Sequence, residues 1–484
     1  MPFRQRALLL RRPAPVSFFS RAYLRSIAPF LVMALIMGLS ACTSYLDVSP
    51  TESIADNQTI VDQKSASTAV NGVYSALSNS GYYGTSFQSI GYLGSGDIQW
   101  TGTQSQVQEF ITHNVRADNA TISTVWSSIY VTINRANHVL AKVPGVADPL
   151  LTQARRDQYL GEAYFLRALA YFDLARTFGG VPLITQPTLK ATDNQGIARA
   201  TQAETYAQVL RDLDAAEPLL PNPATVQPTD RYRATRKTVW ALKARLYLYQ
   251  GNWAQAESYA TRLVADNANY QLLAPFNSFF ANNVRGTAES VFEIFYNGTT
   301  EPNTHRGNWQ PTSNGGTRQW APNAGLVSVL TTAPNNTPNG RSTLIAAVGG
   351  TTWYGNLYYR NPGSDPSYVF RIAELYLIRA EARAQQNNLA GALADLNAVR
   401  TRAGLANSPA TTQPDILLAI ENERRLEFAL EPHRWFDLAR TGRATAVFKD
   451  PLNNAAPLPA FRLLLPVPIS QLQVDAALKQ NPGY

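Results

Sequence analysis

The densest group of side chains able to do chemistry lies near the C-terminal end, in ENERRLEFALEPHRWFDLARTG, residues 421–442. Glu423, Glu427 and Glu431 recur every fourth residue, which sets three carboxylates on one stripe of a helix. Arg424 and Arg425 stand beside them, with Arg434 and Asp437 just beyond. Two carboxylates at a suitable separation can hydrolyse a glycosidic bond. The same residues can instead form an ionic lattice, because guanidinium forks bind carboxylates in pairs and a buried charge has to be paired. The number of arginines favours the lattice. His433 is the only histidine within reach; His113, His138 and His305 are scattered without metal-ligand spacing, and His138 reads as a packing residue in an amphipathic helix. No nucleophile elbow or phosphate loop is present, and no metal or other cofactor is expected.

The second chemistry available is ring stacking. Sugars present apolar C–H faces edged by hydroxyls, and the matching protein surface is an exposed aromatic ring edged by amides and carboxylates. Trp126, Trp240, Trp253 and Trp435 fall in or beside helical patterns, where packing is the default. Trp100, Trp309, Trp320 and Trp353 fall in Gly/Asn-rich segments. The runs Asp97-Ile-Gln-Trp100, Asn308-Trp309 and Arg318-Gln319-Trp320 each join an aromatic to polar partners. The expected platform is Trp100 with Trp309 or Trp320, with Asp97 and Asn308 at its edge. Tyr296 joins it, and Tyr82, Tyr83 and Tyr354 are of second rank.

Helical periodicity accounts for most of the chain. It starts near Asp62 and returns at 120–142, 152–177, 202–218, 235–266, 370–403 and 414–431. Residues 235–266 and 370–403 each read as helix, short turn and helix, with Ala256 and Ala260, or Ala384 and Ala392, at the close positions. These hairpins are similar to tetratricopeptide units. Residues 80–106 read as loop, SVFEIFY (290–296) as a strand, and Leu463–Leu465 as a further strand ended by Pro466 and Pro468. Residues 297–368 are dense in Gly, Pro, Asn and Thr and read as a loop-rich insertion. The fold class is therefore mainly α, with helical hairpins as scaffold, an inserted loop-rich lobe and minor β.

Composition removes other classes. The 484 residues are 45% hydrophobic and 16% charged, which supports a large core and excludes global disorder. The net charge of +8 is mostly local: residues 1–41 carry six arginines and no acid, and the remainder holds 36 basic against 34 acidic residues. No basic face for nucleic acid is left. That leader has an Arg-rich start, an apolar run and small residues before a cut, the pattern of a secretory signal. Leu39-Ser40-Ala41-Cys42 reads as a bacterial lipobox, and Cys42 is the only cysteine. Lipidation of Cys42 would hold the protein on a membrane.

Several stretches taken together resemble the SusD/RagB family of Bacteroidetes outer-membrane lipoproteins. They are CTSYLDVSP from Cys42, RALAYFDLARTFGGVPL (167–183), RIAELYLIRAEA (371–382), the 421–442 run, and LLPVPISQL with QNPGY at the close. The resemblance implies about eight scaffold helices in four tetratricopeptide-like pairs. It also implies binding of a glycan or oligosaccharide nutrient at the cell surface, and delivery to a SusC-like TonB-dependent transporter, without catalysis. The expected organisation is a lipoprotein signal (1–41), a lipidated tether (42–61), an N-terminal helical region (62–296), the insertion (297–368) and a C-terminal region (369–484). Peptide or another nutrient as ligand, a glycoside hydrolase, and a tetratricopeptide scaffold gripping a protein tail are the alternatives; the aromatic and amide character of the loops favours carbohydrate.

Overall fold

The computed structural model describes residues 59–190 and 192–484. Cys42, the signal and almost all of the tether lie outside the described residues. Nine helices of twelve residues or more are found among those described: α1 (Gln63–Ser78), α2 (Ala120–Lys142), α3 (Gln153–Phe178), α4 (Gln202–Leu219), α5 (Arg236–Tyr249), α6 (Trp253–Val264), α7 (Ile372–Gln385), α8 (Leu389–Arg402) and α9 (Gln413–Glu427). The first eight pair as α1/α2, α3/α4, α5/α6 and α7/α8, successive pairs touch, and α9 covers α7 and α8. This is the tetratricopeptide-like arrangement, and none of the described helices is long and apolar enough to cross a membrane.

Local chemistry sets the ends of these helices. Asp62 caps α1: its carboxylate accepts from Ser65 N at 2.7 Å, and Ser65 Oγ accepts from the Asp62 N–H at 3.0 Å. Thr201 and Glu204 make the same reciprocal pair at α4. Between α7 and α8 the chain reverses through Asn387 at φ +61°, and Asn388 then caps α8 on Gly391 N. Ala256, Ala260, Ala384 and Ala392 are fully buried, so each hairpin closes on small side chains. Helix α3 is buried on nearly every side from Gly161 onward. Its interior charge Arg167 reaches Asp212 on α4 through two bonds of 2.9 and 2.6 Å.

Among the described residues strands occur only as two-stranded ribbons: β1 (Ile98–Trp100) with β3 (Trp320–Pro322), β2 (Ser290–Ile294) with β6 (Ser367–Arg371), β4 (Ile345–Val348) with β5 (Thr352–Gly355), and β7 (Lys449–Asp450) with β8 (Asn453–Pro457), all antiparallel. The β2–β6 ribbon is buried along its length and brings the two ends of the 297–368 stretch together. Two local expectations are corrected. Part of 80–106 is a helix, Ser86–Leu93, with only Ser86 not buried; Gln88 is accommodated there because its amide donates to Tyr83 O at 2.6 Å. Leu463–Leu465 forms no strand: residues 460–463 make a 3-10 turn, and the Leu465 N–H donates to Thr177 O at 2.8 Å. Prolines 466 and 468 have no N–H with which to extend a ladder.

Candidate functional site

The carboxylates of α9 are a structural lattice. Arg371 donates to Glu289 at 2.8 Å, to Glu427 at 2.9 Å and to Glu431 at 2.6 Å. Arg341 spans Glu423 and Glu427 at 2.5 and 2.7 Å, and Arg402 binds Glu289 at 2.7 Å and also Glu427. All of these groups are buried. Burial pushes the Glu427 carboxyl up, but Arg402, Arg341 and Arg371 together bring it down to about 2. A group held ionised in this way has no proton to donate near neutrality. His433 is kept neutral, far below its ordinary range, by burial and by surrounding arginines. The lattice joins the residue before β2, the end of β6, α8 and α9. Among the described residues no group of three or more His, Cys, Asp or Glu is placed to hold a metal ion.

The aromatic residues are divided by tertiary packing. Trp309 is fully buried and Trp320 is 5% exposed, so neither presents a ring face to solvent in this structure. Trp309 ends a short helix, His305–Trp309, and packs against Tyr92 and Trp320 with ring centroids 5.2 and 5.6 Å apart. Tyr296 is buried and its hydroxyl accepts from Ser367 Oγ at 3.4 Å; Tyr82 and Tyr83 are buried and both donate to Asp173. Asp97 is buried too, gripped by Arg425 at 2.5 Å and approached by Arg434 at 3.3 Å. The expectation of a solvent-facing platform is corrected for these residues. A large ring gains more from leaving water than it loses by giving up a surface role, and the Asp97 carboxylate is committed to structural arginines.

What reaches solvent is a strip built on two ribbons. Trp100 sits opposite Trp320 in the β1–β3 register and is half-buried, its indole lying over Gly102, where a Cβ would fall 2.2 Å from the ring. Beyond it the Thr101 N–H donates to Gln319 O at 2.9 Å, and Thr101 Oγ1 donates to Arg318 O at 2.5 Å. Arg318 has a left-handed backbone, φ +47°, and its Nε donates to Trp353 O at 2.7 Å. Trp353 and Tyr354 on β5 are half-buried, Gln99 is exposed, and Gln319 and Asn308 are half-buried. The structure therefore brings Trp100 and Trp353 into one neighbourhood through Arg318. Trp353 stands in the same kind of Gly-rich segment as Trp100, so its signal was present; its link to Trp100 depends on the β3–β5 contact, which no local pattern encodes.

Residues 44–248 match a family model described as starch-binding, associating with outer membrane, and residues 294–484 match the SusD family model. The chain belongs to the SusD/RagB family. This SusD-family chain is 28% identical to the SusD-like protein P38 of Formosa agariphila, an alignment spanning 94% of this chain and 98% of that protein. It is 22% identical to the starch-binding protein SusD of Bacteroides thetaiotaomicron over 94% and 98% of the two chains. Among solved structures it superposes on a laminarin-binding SusD-like protein with a TM-score of 0.75 and 25% identity, covering 88% of this chain and 100% of that one. The family is one of carbohydrate binding associated with the outer membrane.

Proposed function

We propose that this SusD-family protein binds a neutral glycan at the cell surface through the strip around Trp100 and Trp353, held to the outer membrane by lipid on Cys42. The bound oligosaccharide passes from this strip to a SusC-like TonB-dependent transporter. The observation that carries the reading is the junction at Arg318: its Nε donates to Trp353 O and its own carbonyl accepts from Thr101 Oγ1 next to Trp100, which joins the strands that carry two partly exposed tryptophans, with Gln99 and Gln319 on the same segments. Rings of this kind stack on the C–H faces of a sugar, and amides and a guanidinium answer its hydroxyls. A binding role rather than hydrolysis is supported by the state of Glu423 and Glu427 on α9 and of Glu431 beyond it, which are buried and paired with arginines. The β-glucan bound by the laminarin-binding relative, and the starch bound by the Bacteroides protein, make both glucans the first ligands to try.

The test is affinity electrophoresis and calorimetry with laminarin and starch on the wild type, Trp100→Ala and Trp353→Ala. Retarded migration of the wild type, lost in either variant, supports the reading. Unchanged binding in the double variant overturns the site; release of reducing sugar on incubation overturns the non-catalytic role.

A further inference from the structure

Behind the exposed strip lies an anomaly. Tyr92, Trp309 and Trp320 form one buried ring cluster, with Tyr92–Trp320 centroids 5.1 Å apart, and Trp100 borders it across the ribbon. The Tyr92 hydroxyl and the indole Nε1 atoms of Trp100, Trp309 and Trp320 are all buried without a hydrogen-bond partner. Interiors rarely tolerate one orphaned donor, because its lost hydration is uncompensated. Fifteen buried side-chain atoms among the described residues lack a partner within the protein, and four of them fall in and beside this one cluster, a concentration that points to a ligand or a second arrangement.

The base of the β4–β5 hairpin covers Trp309. The β4–β5 hairpin is buried only at its base, at Ile345 and Gly355, while Val348, Gly349, Gly350, Thr351 and Thr352 are exposed. Its tip turns through Gly349 and Gly350 at φ +60° and +73°. The Gly355 backbone lies against Trp309, such that a Cβ there would stand 2.5 Å from Cε3 of the indole. Two side chains tie the hairpin strand β5 down: Arg318 Nε on Trp353 O at 2.7 Å, and Gln310 Nε2 on Gly355 O at 3.0 Å.

We propose that the Trp309–Trp320 cluster is the closed form of an inner saccharide subsite, roofed by the β4–β5 hairpin, and that lifting the hairpin lays a neutral sugar ring on these indoles in continuation of Trp100. The inference rests on the glycan-binding reading above. In the open form each indole offers an apolar face for C–H groups and an N–H for a hydroxyl, which supplies the partners the closed form lacks. Opening and ligand are then coupled: the apparent affinity is the intrinsic one scaled by the fraction of open molecules.

Laminarihexaose and maltoheptaose are the probes, with calorimetry for affinity and indole N–H exchange read by NMR on 15N-tryptophan protein. Gly355→Ala adds a methyl where there is no room, so it should favour the open form. It is expected to tighten the better oligosaccharide at least threefold (roughly, from the open-fraction relation) and to speed Trp309 and Trp320 indole exchange. Trp320→Phe keeps a ring but removes one donor, and is expected to weaken binding about tenfold. Should Gly355→Ala not fold, the wild-type exchange and Trp320→Phe decide. Unchanged affinity in both variants with Trp100→Ala still defective overturns the inner subsite and leaves the exposed strip standing. The same follows from indole exchange no faster than the backbone amides of α3, or from ordered waters on all four orphaned atoms in a crystal with Trp320→Phe binding normally. Failure of the wild type to bind either oligosaccharide overturns the inference and counts against the glycan reading beneath it.

Discussion

Arg371, the last residue of β6, holds Glu431 through three contacts between 2.6 and 3.2 Å, although the two are sixty residues apart. Arg371 also binds Glu289 and Glu427, so one guanidinium ties β2, β6 and the end of α9 together. Removing it leaves three buried carboxylates short of a counter-charge. Arg371→Met is expected to destabilise the fold by about 3–5 kcal/mol in urea unfolding, with no specific change in ligand preference at temperatures where it stays folded.

Asp97 makes a different prediction from the one its neighbour Trp100 suggests. Its carboxylate meets Arg425 and Arg434, and Arg425 is partly exposed. Asp97→Ala should therefore cost roughly 2–3 kcal/mol of stability, less than a fully buried pair. Oligosaccharide affinity in the folded fraction should stay within about threefold of wild type. A selective loss of affinity at unchanged thermal midpoint would show that the carboxylate faces the ligand after all.

For the exposed strip, Trp100→Ala and Trp353→Ala are each expected to weaken glycan binding by about 1–2 kcal/mol, or roughly 5- to 30-fold. Thermal midpoints should fall less than for a fully buried tryptophan, because both side chains are only partly buried. Calorimetry against laminarin and starch fragments reads this directly.

Acid should weaken the fold through His305. Burial holds its imidazole down to about 3, against 6.5 for a free histidine. The unfolded chain therefore takes up the proton first, so this contribution is complete above pH 6.5 and is lost as pH falls from 6.5 towards 3. Asp365 acts the opposite way: burial, against Arg360, raises it to about 6 from 3.8, so the native state gains relative stability between pH 6 and 4. Comparing thermal midpoints of wild type and His305→Asn from pH 7 to pH 4 isolates the first effect; the wild type should lose more. Parallel curves would mean that His305 is not the group responsible.

Cys42 lies before the described residues, and its role is tested in cells. Cys42→Ala, or globomycin treatment, is expected to move the protein from the membrane to the soluble fraction. Persistent membrane attachment in both cases would remove the lipid anchor from the proposal.

Much of the scaffold was legible beforehand because its information is local. The 3.6-residue period marked α1 to α9 within a few residues, and Ala256 and Ala392 marked the close helix contacts, since amphipathic burial is written into each helix separately. The arginine–glutamate lattice was also readable, because so many charges in one apolar run can only be buried in pairs. The helix Ser86–Leu93 escaped, since its Gly- and Ser-rich sequence gains stability only from what packs on it. The fate of the loop tryptophans was not legible at all. Trp100, Trp309, Trp320 and Trp353 share the same kind of local setting, yet two are inside and two reach solvent.

Residue order by itself therefore determined the helical repeats and the family, and favoured pairing over catalysis for Glu423, Glu427 and Glu431. Only the tertiary structure decided which aromatic rings face water, that Asp97 belongs to Arg425, and that Arg318 ties the Trp353 backbone to the ribbon carrying Trp100. The reason is physical: helix periodicity and charge pairing are short-range or compositional constraints, whereas exposure of a ring depends on which distant segment covers it. Here that segment is β5, whose Gly355 rests against the buried Trp309 while Trp353, two residues earlier, stays partly exposed.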